Sequence, residues 1–484
     1  MKKHAFLVSL LLFVSIVSVF AKEGYAVLTG TIENRSSDSV FVYGYNSLTD
    51  HIKGKSLIQS CKIGKKGFFF LSFKWPDGGE FELKNGDNYL LFNVFLCSGD
   101  SLNLVFSDKN FEVNGRGEDQ IGYNMKYVDS FYVSPNERKR YTESFGTLGI
   151  DSFTNYIDNR YTRSLGFLKS SFEGKNSCPA FSSYATNEIN YNWATDKLQY
   201  LWKYNYAHRI KGDIKVDPSY FVFAEKLKSN KEAEYSQSYY NFLSAFIEAV
   251  WSQHLIRLPE TEMKQAYKNQ YFKKAEIVDS LFEGMAREIS YALIIRDQTE
   301  SLQMQMEKRG EEVKKESDSL LNLFHNSTTS SVWYDFSRVE SESAFSFQGK
   351  ILKDFKLISN LGDSISFSSF KGKVVLLDFW SLTCAPCLKA IPESNDMQAR
   401  LSGKDFVMVS ICLDPNKKAE WEKLLINRKW KGVHLLYSSQ SGLQEKFSIQ
   451  SFPRYILIDK EGKIVSANAP VPGPDPEKEI LHLL

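Results

Sequence analysis

The chain has 484 residues, 43% of them hydrophobic and 24% charged; this is ordinary globular usage and excludes wholesale disorder and a multi-span membrane protein. A single core is not expected at that length, because cores stop growing near about 250–300 residues. The formal net charge of +2 falls to zero when Lys2 and Lys3 are set aside, so nothing in the charge points to nucleic acid as a partner.

Lys2 and Lys3 precede an apolar run from Ala5 to Phe20, and Ala21 follows with Val19 two places before it. This is a signal-peptide pattern over residues 1–21, with cleavage before Lys22 and export to the periplasm or cell envelope. The alternative is an uncleaved membrane anchor, for which the run is at the short limit. No later stretch is apolar enough to span a bilayer.

Residues 22–117 read as a β-sandwich domain of short strands. Val27–Ile32, Val40–Tyr43, Phe68–Phe73, Tyr89–Leu96, Leu102–Phe106 and Phe111–Val113 are separated by turn residues such as Asp77–Gly78–Gly79 and Asn85–Gly86–Asp87. Gly115–Arg116–Gly117 lacks the third glycine of a dinucleotide fingerprint and reads as a turn.

Residues 118–345 read as a helical region. Leu198–Trp202, Tyr239–Ile247 and Ala275–Phe282 have helix-compatible spacing. Aromatic residues are 14% of the chain, which suggests aromatic-rich packing of helices beside the β-structure. Met304 to Glu316 is dense in Lys and Glu and reads as a solvated helix face; Ser327 to Ser331 reads as a loop.

Residues 346–484 alternate strand and helix, the pattern of a compact α/β domain. Val374–Val375–Leu376–Leu377–Asp378–Phe379–Trp380 is a continuous run of buried-strand type, repeated by Phe406–Ile411 and Tyr455–Ile458. Ala419 to Asn427 is helix-like.

Of the six cysteines only Cys384 and Cys387 are closely spaced. Cys384–Ala385–Pro386–Cys387 follows the first buried strand, and Leu388–Lys389–Ala390–Ile391 can begin a helix. That places Cys384 at a helix N-terminus, where free N–H groups and the dipole favour a thiolate. Two intervening residues let one helical turn bring the sulfurs within disulfide reach, and Pro386 stiffens that turn without losing a needed N–H. A zinc half-site is disfavoured, because structural zinc needs four ligands and His434 stands alone. A permanent structural disulfide competes with the redox reading, and a peroxidatic cysteine would need its resolving partner far away. Neither a metal nor a cofactor is expected. Cys412 reads as an inert core thiol and Cys178 as a free thiol; Cys61 and Cys97 share the β-domain, and a disulfide between them stays open.

Asp378–Phe379–Trp380 followed by Cys384–Ala385–Pro386–Cys387 resembles the thioredoxin active-site segment. Asp378 matches the family's buried acid, Pro392 the proline that kinks the active-site helix, and Phe452–Pro453 the cis-proline loop. Lys371–Gly372–Lys373, Trp421 and Ile458–Asp459–Lys460–Glu461–Gly462–Lys463–Ile464 are similar to exported TlpA/ResA-type thiol–disulfide oxidoreductases, relatives of proteins of cytochrome c biogenesis. Ser98–Gly99–Asp100–Ser101–Leu102 and Val113–Asn114–Gly115–Arg116–Gly117 resemble a domain found ahead of such modules in Bacteroidetes envelope proteins. Thr383 stands in place of the usual Trp, Ala385 of the usual Gly, and Ala390 where ResA-like proteins often carry a Glu.

The resemblance implies a redox-active disulfide between Cys384 and Cys387, with Cys384 attacking and Cys387 resolving. Asp378 would accept the Cys387 proton, or else cap the turn at the strand end. Trp380 is a wall of the site or simple core packing. Phe452 and Pro453 would face the substrate. The expected function is an exported thiol–disulfide oxidoreductase reducing envelope protein disulfides, with electrons from a membrane thiol-transfer partner. An oxidant or isomerase, and an interaction protein that docks through this module, are the alternatives.

Overall fold

The computed structural model describes residues 24–108, 111–175, 177–210, 212–303, 311–327, 332–345, 349–438, 441–443, 447, 449 and 452–484. The expected signal peptide, residues 304–310 of the expected helix face and residues 328–331 of the expected loop lie outside the described residues. Contacts divide the chain into two compact units, Met1–Ile294 and Ile295–Leu484. The division falls inside the helix Gly284–Gln303. Among the described residues no helix is long and apolar enough to cross a membrane.

The first unit opens with β1 (Tyr25–Ile32), β2 (Ser39–Gly44), β3 (Ser56–Lys62), β4 (Phe68–Lys74), β5 (Gly79–Asn85), β6 (Asn88–Leu96), β7 (Ser101–Phe106) and β8 (Phe111–Arg116). They form two four-stranded sheets, ordered β4-β1-β7-β8 and β3-β2-β5-β6. Only β1 and β7 run parallel within them. Alternation with period two puts Val40 and Val42 inward on β2. They join Leu28, Leu71, Phe81 and Leu104 in one core shared by both sheets. Gly115–Arg116–Gly117 closes β8 and turns into the helix Glu118–Val128. Gly115 has φ +122°, and a Cβ there would lie 2.2 Å from the Ser101 carbonyl oxygen, so the turn requires glycine.

Helices follow, chiefly Pro135–Thr147, Ile150–Ser171, Pro179–Ala207 and Gln237–Leu255. Aromatic rings carry much of their packing: Phe153 stacks on Tyr200 at 4.1 Å and Tyr191 meets Phe242 at 5.3 Å. Cys97 and Cys178 form a disulfide across 81 residues, with Cα atoms 6.5 Å apart. Cys178 is therefore not a free thiol, and Cys97 does not pair with Cys61, which stays free and half-buried. The reason is sheet order. Cys61 lies on β3 and Cys97 follows β6, the two edges of one sheet. Three strand spacings separate those edges by about 14 Å, twice the reach of a disulfide.

The second unit holds β9 (Lys356–Ser359), β10 (Ser364–Ser366), β11 (Val374–Trp380), β12 (Phe406–Cys412), β13 (Val433–Leu436), β14 (Arg454–Ile458) and β15 (Ile464–Ala469). They make one mixed sheet ordered β10-β9-β13-β12-β11-β14-β15. β11 is an interior strand, parallel to β12 and antiparallel to β14, and all seven of its residues are buried. Its run is continuously apolar because both faces are covered. Val374 and Leu376 pack with Met397 of the helix Ala385–Arg400 and Ile480 of the helix Pro474–Leu483. Val375, Leu377 and Phe379 form the opposite core with Ile411 and Ile456.

Candidate active site

The interior strand β11 ends at Trp380. Two hydrogen bonds pin the loop that follows: Leu382 N–H donates to Asp414 Oδ2 at 2.7 Å, and Cys384 N–H to the Ser381 carbonyl at 3.0 Å. Cys384 is the N-cap of the helix Ala385–Arg400, with Pro386 in its first turn and Pro392 inside it. Its Sγ accepts a hydrogen bond from the Cys387 N–H at 3.1 Å, using one of the N–H groups a helix start leaves unpaired. Cys384 and Cys387 are joined in a disulfide with Cα atoms 5.3 Å apart. Cys384 is half-buried, whereas Cys387 is only 2% exposed. The sulfur at the helix N-terminus is thus the one a partner can reach.

Asp378 is buried on β11, in register with Tyr455 of β14 and Ser410 of β12; Ser410 in turn is in register with His434 of β13. Directly opposed residues share a face, so four buried polar side chains form a row across the sheet. Alternation puts Asp378 on the same face as Trp380, which clusters with Cys387. The Ser410 hydroxyl donates to Asp378 Oδ2 at 3.0 Å. Burial pushes the Asp378 carboxyl up to about 7, and the Ser410 bond works against that rise. Burial also raises the Tyr455 hydroxyl, assisted by Asp378, and lowers the His434 imidazole. His434 Nε2 lies 3.0 Å from the Trp430 carbonyl oxygen.

Trp380 is fully buried, its ring 4.7 Å from that of Trp430. With Cys387, Ile391, Cys412 and Trp421 these two form one cluster, and Cys384 and Phe452 pack on it. Trp380 is therefore a core residue that shares its buried cluster with Cys387. Phe452–Pro453 is a cis peptide bond, and Phe452 lies half-buried against the cluster that holds both sulfurs. Cys412 is a free buried thiol pushed up to about 12 by burial. Among the described residues, no group of three or more His, Cys, Asp or Glu is placed to hold a metal.

Sequence reasoning missed Ser410 and Trp430, and weighed His434 only as a lone zinc ligand. Ser410 carried a signal: it is the one hydroxyl in the otherwise apolar run Phe406–Cys412. Nothing local in Trp430 or His434 marks them, because only the strand order brings β13 beside β12.

The fold and the dithiol at its helix N-terminus define a thiol–disulfide exchange module. Residues 372–464 match the Thioredoxin-like family model. The chain is 25% identical over 117 residues to the thioredoxin-like protein YneN of Bacillus subtilis, covering 24% of this chain and 68% of YneN. It is 26% identical to the thiol-disulfide oxidoreductase ResA of Bacillus anthracis, over 24% of this chain and 66% of ResA. The chain thus spans about two thirds of the length of these relatives. Among solved structures, the thioredoxin domain of a thiol-disulfide oxidoreductase from Bacteroides vulgatus is 28% identical, covering 28% of this chain and 96% of that one, with a TM-score of 0.26. The C-terminal part of this protein is a thioredoxin-like domain of the thiol–disulfide oxidoreductase kind.

Proposed function

We propose that the protein is an exported thiol–disulfide oxidoreductase that reduces disulfides of envelope proteins. The observation that carries this reading is the asymmetric pair: Cys384 half-buried at a helix N-terminus with its Sγ hydrogen-bonded by a backbone N–H, and Cys387 buried behind it. The Lys2–Ala21 leader pattern supports export.

In the reduced protein the Cys384 thiolate attacks one sulfur of the substrate disulfide, and the other substrate sulfur leaves as a thiolate. Cys387 then gives its proton to the Asp378 carboxylate and attacks Cys384 Sγ. The mixed disulfide breaks, the substrate departs with two thiols, and Cys384–Cys387 is oxidised by two electrons. A membrane thiol-transfer donor returns those electrons. The backbone edge beside Pro453 receives the extended substrate chain, with Phe452 and Trp380 shaping the wall.

Insulin reduction with a dithiol donor tests the reading. Cys384→Ser is expected to abolish it, and Cys387→Ser to accumulate a mixed disulfide. Full activity in Cys384→Ser would remove the reading. A redox titration sets the direction: a midpoint near about −270 mV fits a reductant, and one near about −120 mV an oxidant.

A further inference from the structure

Within the first unit, the helix Pro179–Ala207 meets the face of β5 that points away from the sandwich core. Phe81 and Leu83 belong to that core, so alternation puts Glu80, Glu82 and Lys84 on the other side. Glu80 and Glu82 are only 6% and 8% exposed. The Tyr184 hydroxyl of the helix donates to Glu80 Oε2 at 2.5 Å. Glu188 lies one turn further along the same helix face, where the Ser236 hydroxyl donates to its Oε1 at 2.7 Å.

The charges at this junction do not balance. Lys55 Nζ lies 2.5 Å from Glu80 and 3.0 Å from Glu82, and Lys84 Nζ lies 3.6 Å from Glu82. Three carboxyl groups thus share two ammonium groups, and among the described residues Glu188 forms no ion pair. A carboxyl group taken out of water beside another carboxylate keeps its proton. Burial pushes Glu188 up, and the charge of Glu80 adds to the rise, while the bonds from Ser236 and Ser238 oppose it.

The other titratable groups here do not take up the imbalance. Tyr45, Tyr127 and Tyr184 face Glu188 from the β2–β3 connection, from the helix Glu118–Val128 and from its own helix. Burial raises all three hydroxyls, so they stay neutral. His51 is stacked between the rings of Tyr45 and Tyr240 at 3.9 and 4.9 Å, and burial pushes its imidazole down to about 3. It is neutral as well. Glu188 is left as the group whose charge changes.

We propose that this junction is a latch closed by one proton: with Glu188 neutral the helix Pro179–Ala207 lies closed on β5, and with Glu188 ionised its repulsion of Glu80 loosens the helix from the sheet. The Cys97–Cys178 disulfide still holds the helix start, so the loosening is local. The folded chain holds the Glu188 proton above its ordinary value of 4.5. Closure is therefore complete at acid pH and is lost as pH rises through the folded value.

The test is amide hydrogen exchange of the intact chain from about pH 5 to about pH 9, each rate divided by its intrinsic rate. Amides of β5 and of residues 184–192 are expected to open at least about tenfold more at the upper pH. Those of β1, inside the sandwich core, should change less than about twofold. Glu188→Gln keeps the shape of the neutral carboxyl and should abolish the rise. Ser236→Ala removes a donor to the charged form and should move the rise upward by about one pH unit. Equal opening across the range in the parent would overturn the proposal, as would a rise that persists in Glu188→Gln. Where that variant does not fold, Ser236→Ala decides, and an undisplaced rise there overturns the proposal too.

Discussion

Asp378 shows how one residue couples stability to chemistry. Burial lifts its carboxyl to about 7, so the native state keeps a proton that the unfolded chain releases at the ordinary value of 3.8. The folded state binds more protons over that window, and stability falls as pH rises from about 4 to about 7, then levels off. Asp378→Asn is therefore expected to gain stability at pH 8, by up to about 4 kcal/mol, and to match the parent near pH 3; denaturant midpoints at the two pH values check this. The same variant should slow release of the mixed disulfide about a hundredfold, because the proposed mechanism passes the Cys387 proton to Asp378. Ser410 holds the ionised form of Asp378 through its 3.0 Å bond. Ser410→Ala should move the inflection of the rate profile between pH 5 and 9 upward by about one unit, and Ser410→Thr should restore it. The groups facing Asp378 from neighbouring strands are Tyr455 and, beyond Ser410, His434; Cys412 and the active-site Cys387 share its face of the sheet.

Among the elements, two helices begin at a cysteine and do opposite things with it. Cys384 caps the helix Ala385–Arg400 and stands at the open end of a short pair. Cys178 caps the helix Pro179–Ala207, its Sγ accepting from the Phe181 N–H at 3.4 Å. Its disulfide partner Cys97 is 2% exposed within an aromatic cluster with Phe95, Tyr123 and Phe181. That bond staples the long helix to the end of β6. It closes a loop of 81 residues, and a loop of that length loses about 4 kcal/mol of chain entropy when closed in the unfolded state. Cys178→Ala is expected to destabilise the first unit by about that much, read as a lower denaturant midpoint, while insulin reduction by Cys384 and Cys387 persists.

At the level of the whole molecule, the change of sequence texture near residue 350 marks where β-structure resumes. Contacts, however, group Ile295–Leu484 together. The helices Glu311–Ser327 and Val332–Phe345 belong to that unit, with Leu320, Phe324 and Trp333 buried and Ser317 hydrogen-bonded to Ser341 at 2.7 Å. A fragment of residues 295–484 is expected to keep the redox midpoint of the intact chain and to resist denaturant better than residues 346–484. Equal midpoints of unfolding for the two fragments would show that these helices add nothing to the domain.

What could be seen in the chain was what short-range physics dictates. The continuous apolar run of β11 announces a strand buried on both faces. Cys384–Ala385–Pro386–Cys387 announces a dithiol at a helix start, because three residues of helix fix the sulfur spacing. Asp378 and Pro453 stand out only through the resemblance to the thioredoxin active-site segment and its cis-proline loop. Partners distant in sequence were not visible. Ser410 reaches Asp378 across 32 residues only because β12 lies beside β11, and His434 joins the row only because β13 lies beside β12. Cys97 finds Cys178 rather than Cys61 because β2 and β5 separate the edges of their sheet and the long helix packs against one of them. Periodicity sets which face of an element is buried, but the order of strands and the docking of helices decide which residues meet there, and no local pattern encodes that order.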